Sequence, residues 1–135
     1  MNDPLFLRLN EIIEIHADQI TRYGGSTGVR DMGLLQSAVA MPAATFGGQY
    51  LHADLHEMAA AYLFHLVKNH AFVDGNKRVG TVASLVFLDM NGVAVDADET
   101  EFERLVLDVI DNKASKSHVA EFFRRNSKES TRDGI

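Results

Sequence analysis

His70-Ala71-Phe72-Val73-Asp74-Gly75-Asn76-Lys77-Arg78-Val79-Gly80 crowds polar and catalytic residue types between two strongly apolar segments. Before it, Asp54 to Lys68 sets Leu55, Met58, Ala59, Tyr62, Leu63 and Leu66 at helical spacing. After it, Val79 to Met90 is apolar almost all round, as a central buried helix would be. The stretch reads as helix, loop, helix. Its loop presents an imidazole, a carboxylate, two cations and a glycine turn at the mouth of a core.

These residue types suit one chemistry. A helix starting near Asn76 leaves its first N–H groups unpaired, and the positive end of its dipole makes an anion site that Lys77 and Arg78 strengthen. Cations at a helix amino end oppose the dipole, so an anion partner explains the pair better than solvent does. Gly75 lets the chain turn with positive φ and lets a ligand approach the backbone. Asn76 can cap the helix or donate to a phosphate oxygen. Asp74 beside a phosphate site suits a magnesium ion that keeps most of its waters. His70 supplies a base for an attacking hydroxyl. Each residue alone has a plainer reading: Asp74 as a turn residue, Phe72 as an apolar anchor, His70 as a structural histidine. Together they point to transfer of a phosphorus-centred group from a nucleotide to a hydroxyl. A phosphate-loop reading fails, because Lys77 precedes the second glycine and no strand comes before the loop.

The run resembles the motif of the Fic/Doc superfamily, H-P-F-x-[DE]-G-N-G-R-x-x-R. It departs from the adenylyl-transferring form at Ala71, Lys77 and Thr81. The form with lysine at 77 is similar to the toxin branch of that superfamily. The likeness extends to Arg22-Tyr23-Gly24-Gly25 and to Phe87-Leu88-Asp89-Met90-Asn91-Gly92. It implies a toxin of a toxin–antitoxin pair that moves the γ-phosphoryl group of ATP, with Mg2+, to a threonine of elongation factor Tu and so arrests translation. His70 would be catalytic and Asp74 the metal ligand, with Phe72, Gly75, Asn76, Lys77, Arg78 and Lys68 around the nucleotide. A lysine at 77 occupies space and adds charge where the adenylyl-transferring relatives hold polyphosphate, and Thr81 removes one of their phosphate clamps. AMP transfer is therefore the alternative, and a non-catalytic phosphate-binding module is another. Family members held off in cis carry an inhibitory [ST]-x-x-x-E-[GN] helix. Ser117 to Phe122 comes closest and fails at Phe122, so the expected inhibitor is a separate, Phd-like antitoxin whose disordered tail folds as a helix on this chain.

Outward from the motif, the first helix is expected from about Leu9 to Arg22, with His16 packed on its apolar stripe beside Ile12, Ile13 and Ile20. Leu5 to Leu7 either extend that helix or run as extended chain. Gly24-Gly25 ends it, and a glycine-rich loop reaches Arg30. Asp31 caps a short helix through Ala40, broken at Pro42. Thr45 to Ala53 reads as a loop or hairpin, and the resemblance gives it the role of a flap that aligns a target's main chain. His52 and His56 are four apart, a spacing that raises a metal site, but Ala60 stands where a zinc-protease pattern needs its second histidine. Val93 to Val95 is extended. Asp98 to Glu101 opens a helix burying Phe102, Leu105, Val106 and Val109, and a last helix spans about Ser117 to Arg125.

The fold class expected is all-α, a helical bundle around a central buried helix with a short flap. One domain covers 1–126, and 127–135 is a polar, frayed tail. The 135 residues are 46% apolar, long enough for a real core and too apolar for disorder. There is no cysteine, and the net charge is −6. The first excludes a disulfide framework and fits a cytoplasmic protein; the second argues against a broad nucleic-acid face. No membrane-length apolar run is present, so no membrane partner is expected.

Overall fold

The computed structural model describes residues 3–129, and six α-helices dominate them. They are α1 (Leu9–Tyr23), α2 (Met32–Ala40), α3 (Leu55–Asn69), α4 (Asn76–Met90), α5 (Glu99–Ile110) and α6 (Lys116–Asn126). Two short antiparallel ribbons accompany them: β1 (Thr45–Phe46) with β2 (Gln49–Tyr50), and β3 (Val93–Val95) with β4 (Ser127–Glu129). The fold is the expected helical bundle. Aspartates set the helix starts as their positions suggest, since the Asp31, Asp54 and Asp98 carboxylates accept the N–H of Leu34, Glu57 and Glu101.

The helix at the centre is α3 rather than α4. It packs on α4, α6, α2 and α5, and Met58 through Leu63 are buried without a break. Three consecutive alanines, Ala59 to Ala61, let neighbours approach it from several sides. In α4, Thr81, Val82, Leu85 and Val86 are only partly covered, so its apolar sequence faces a groove on one side. Tyr62 is buried mid-helix, and its hydroxyl takes the Leu7 N–H at 2.8 Å, which pins residues 5–7 as extended chain rather than as a longer α1.

Where α3 crosses α4 the backbones are close. A Cβ added at Gly80 would lie 2.8 Å from Cγ2 of Val67 and 3.2 Å from the Leu63 carbonyl oxygen. Val67 is β-branched and cannot swing aside cheaply. Gly80→Ala is therefore expected to destabilise the fold by about 1–3 kcal/mol despite the better helix propensity of alanine. Urea denaturation checks it, and a stabilised variant would contradict the packing.

One expectation falls away, and one spacing does not bring its residues together. The tail expected to fray from 127 begins as strand: Ser127 to Glu129 pair with Val95 to Val93, and Asp96 N–H adds a bond to the Asn126 carbonyl. A polar three-residue segment carries no apolar alternation to announce a strand. Residues 130–135 lie outside the described part. The paired histidines do not share a helix face either, because His52 precedes α3 while Nε2 of His56 bonds the Ser127 hydroxyl. Among the described residues no cluster of three or more His, Cys, Asp or Glu could hold a metal. No helix there is long and apolar enough to cross a membrane.

His65 on α3 accepts from Lys116 Nζ at 3.0 Å, and burial, then the Lys116 and His52 charges, push its pKa from 6.5 down to about 4. The fold favours the neutral ring. Its contribution to stability is complete above about 6.5 and drains away as pH falls toward about 4. His65→Gln keeps an acceptor for Lys116 and cannot titrate, so its melting temperature should fall less steeply over that window than the parent's. Identical slopes would contradict the assignment.

Candidate active site

The loop between α3 and α4 is fixed from both sides. At its start His70 closes α3 in the left-handed region, φ 51° and ψ 48°, a conformation that costs a non-glycine residue about 1–2 kcal/mol. Arg30 Nε donates to the His70 carbonyl at 2.8 Å and meets the end of α3 there. The segment Gly24 to Asp31 then lies along the loop. Val29 pairs antiparallel with Phe72, Val73 N–H donates to Gly28, and the N–H groups of Arg30 and Asp31 share the Ala71 carbonyl.

Inside the loop, Asn76 forms a two-way clip. Its Oδ1 accepts the Phe72 N–H and its Nδ2 donates to the Phe72 carbonyl, both at 3.0 Å. Its side chain is buried in that clip and does not cap α4, contrary to one expectation. Phe72 is also buried, stacked on the His16 ring with centroids 3.8 Å apart, so it anchors the loop from within and is not among the residues that line the cleft. Gly75 is the N-cap residue of α4 at φ 78°, with no side chain capping the helix, and the first-turn N–H groups are left to face a ligand.

A cleft of about 530 Å³ opens over this helix start. His70, Asp74, Gly75, Asn76, Lys77, Arg78 and Lys68 line it together. His70 is exposed there, and its ring has no hydrogen-bond partner among the described residues. Lys68 reaches across to the Asn112 side chain, which also sits at positive φ, and Ile110 completes the far wall. Arg78 leans back, its Nη1 donating to the Gln19 carbonyl at 3.2 Å.

Asp74 is the best-held group of the cleft. Its Oδ2 accepts the Ser26 N–H and its Oδ1 the Gly75 N–H. These two bonds, helped by the charges of Arg78 and His16, hold its carboxyl below the usual carboxylate range. A Cβ on Gly25 would fall 2.7 Å from Asp74 Oδ2 and 3.1 Å from Arg78 Nη2, so both charged groups converge on that glycine. The donor set fits magnesium carried by a polyphosphate, since one fixed carboxylate has acceptor capacity to spare beyond the Ser26 and Gly75 N–H groups.

The hairpin expected to act as a flap does form, but not at the cleft. Tyr50 rests on Phe6, which stacks on Phe87, about 16 Å along α4 from Asn76. The strand-like edge beside the loop is Gly24 to Asp31 instead. Sequence reasoning also missed Arg30, Ser26 and Ile110. Ser26 acts through its backbone, which no residue type announces, and Arg30 and Ile110 arrive from distant segments. His16 was legible as a packed histidine, and that is how it sits, bonded to the Asp74 carbonyl.

The sequence profile described as the Fic/DOC family matches residues 6–88. A protein named Toxin Doc, from Mycolicibacterium smegmatis (strain ATCC 700084 / mc(2)155), is 50% identical over 76 residues, covering 56% of this chain and 58% of its own length. A protein named Protein kinase doc, from Escherichia phage P1, is 35% identical over 115 residues, 85% of this chain and 90% of its own length.

Proposed function

Because the chain belongs to the Fic/Doc family, we propose that it is a toxin-type kinase, transferring the γ-phosphoryl group of ATP to a threonine hydroxyl of a protein, with elongation factor Tu as the target. The observation that carries the reading is the assembly of His70, Asp74, Lys77 and Arg78 around the uncapped start of α4 in one cleft. In this reading the hydroxyl oxygen attacks the γ-phosphorus, the bond to the β-phosphate oxygen breaks, and ADP leaves. His70 takes the hydroxyl proton. The N–H groups at the head of α4 and the Lys77 and Arg78 cations hold the phosphates, so positioning and charge stabilisation supply most of the rate. Asp74 would hold Mg2+, which when bound offsets phosphate charge.

An antitoxin completes the proposal. A groove of about 800 Å³ between α1, α4 and α5 is lined by Val82, Leu85, Phe102 and Val106, and it shares Lys77 and Arg78 with the cleft. A Phd-like amphipathic helix laid there would touch the phosphate cradle directly. Glu121, the glutamate of the nearest inhibitory-like run, instead faces Arg124 on its own helix at 3.6 Å. The test of activity is incubation with elongation factor Tu and ATP labelled at either the α or the γ position. Label arriving from γ supports the reading; label from α alone makes the chain an adenylyltransferase, and none from either leaves a phosphate-binding module.

A further inference from the structure

His16 stands on α1, 58 residues from the loop it touches, and it is only 4% exposed. Its neighbours on that face, Ile12 and Ile20, are apolar and buried, and a third aliphatic residue would fill the position without a polar group to satisfy. The histidine instead makes a hydrogen bond and a ring stack, both to the cleft loop. Nε2 lies 2.7 Å from the Asp74 carbonyl oxygen; a carbonyl only accepts, so Nε2 carries the proton. The ring face lies on Phe72, nearly parallel at 8°. The same Nε2 would sit 3.5 Å from a Cβ on Gly75, so the imidazole fills the space beneath the turn.

From these contacts we infer that His16 is a positioning residue, which holds the Asp74–Gly75 turn from beneath so that the Asp74 carboxylate and the head of α4 present one fixed geometry to a metal–nucleotide ligand. The carboxylate is then held at three points: by the Ser26 N–H, by the Gly75 N–H, and by the backbone that His16 anchors. Without the third, the Asp74 carbonyl loses its imidazole partner and the peptide between Asp74 and Gly75 is held through the Gly75 N–H, so it rotates more readily and carries Asp74 with it. The functional half of this inference rests on the kinase reading; the mechanical half does not.

The experiment compares the parent with His16→Phe, which keeps a ring against Phe72 and lacks the donor, and His16→Gln, whose amide reaches about as far as Nε2. Backbone amide exchange without nucleotide should speed up at Val73 and Gly75 by about tenfold or more in His16→Phe and return toward the parent rate in His16→Gln. Turnover with MgATP should follow the same order, falling on the order of ten- to a hundredfold in His16→Phe. The Mg2+ concentration for half-maximal rate should rise in that variant, and the glutamine should restore it. Equal exchange in all three proteins would overturn the inference. So would equal losses in both variants, which would mark His16 as packing alone. A parent that transfers nothing, with the exchange pattern as described, would remove the kinase reading and leave the positioning role standing.

Discussion

His70→Ala should abolish phosphoryl transfer while the protein stays folded. A positioned general base is worth about a hundred- to ten-thousandfold, and the geometry leaves no substitute. The other imidazole near the loop, His16, is buried and already committed to the Asp74 carbonyl. The His70 ring is exposed and has no hydrogen-bond partner among the described residues, so its removal costs little packing. The backbone at 70 keeps its left-handed strain in the variant, and the melting temperature should move little. Nucleotide binding should persist as well, because the phosphate cradle lies at residues 75–78. Loss of transfer with retained binding is thus the expected pattern. Retained transfer would remove His70 from the chemistry.

The second large effect is expected at Asp74. Asp74→Asn keeps one side-chain oxygen for Ser26 or Gly75 and discards the charge. If this carboxylate holds the magnesium, the lost charge stabilisation lowers the rate on the order of a hundredfold at modest Mg2+, and higher Mg2+ should recover part of it. Two backbone N–H groups keep the native carboxyl below the usual carboxylate range, so it is ionised throughout the neutral range and the ratio between parent and variant should not vary with pH there. An unaltered Mg2+ requirement would show that Asp74 serves only to shape the turn. Stability has its own sign: a depressed carboxyl stabilises the fold at neutral pH and ceases to as acid protonates it, so the parent should lose more stability than Asp74→Asn at low pH.

Much of this was legible in the chain because periodicity and punctuation agree. Helix stripes and aspartate caps placed the helices within a residue or two, and the crowding at 70–78 placed the cleft. The misses have physical causes. Strand β4 forms from Ser127 to Glu129 because β3 offers an open edge, a tertiary fact with no local pattern. The apolar sequence of α4 overstated its burial, since an apolar face can border a groove as well as a core. The helix-cap reading of Asn76 fails because its amide is taken up by the Phe72 backbone, a contact four residues back that residue type alone does not announce. The flap was assigned to the wrong connection because glycines and aromatics mark a hairpin wherever it lies, whereas proximity to His70 depends on which end of α3 the connection meets.

The central claim is that a nucleotide's phosphates dock on the opening turn of α4 beside His70. Amide chemical shifts of the uniformly 15N-labelled protein, followed while a non-hydrolysable ATP analogue and Mg2+ are added, test it most directly. The account predicts the largest changes at Gly75, Asn76, Lys77 and Arg78. Shifts confined to the groove between α1 and α5, or none at millimolar analogue in a folded protein, would contradict it.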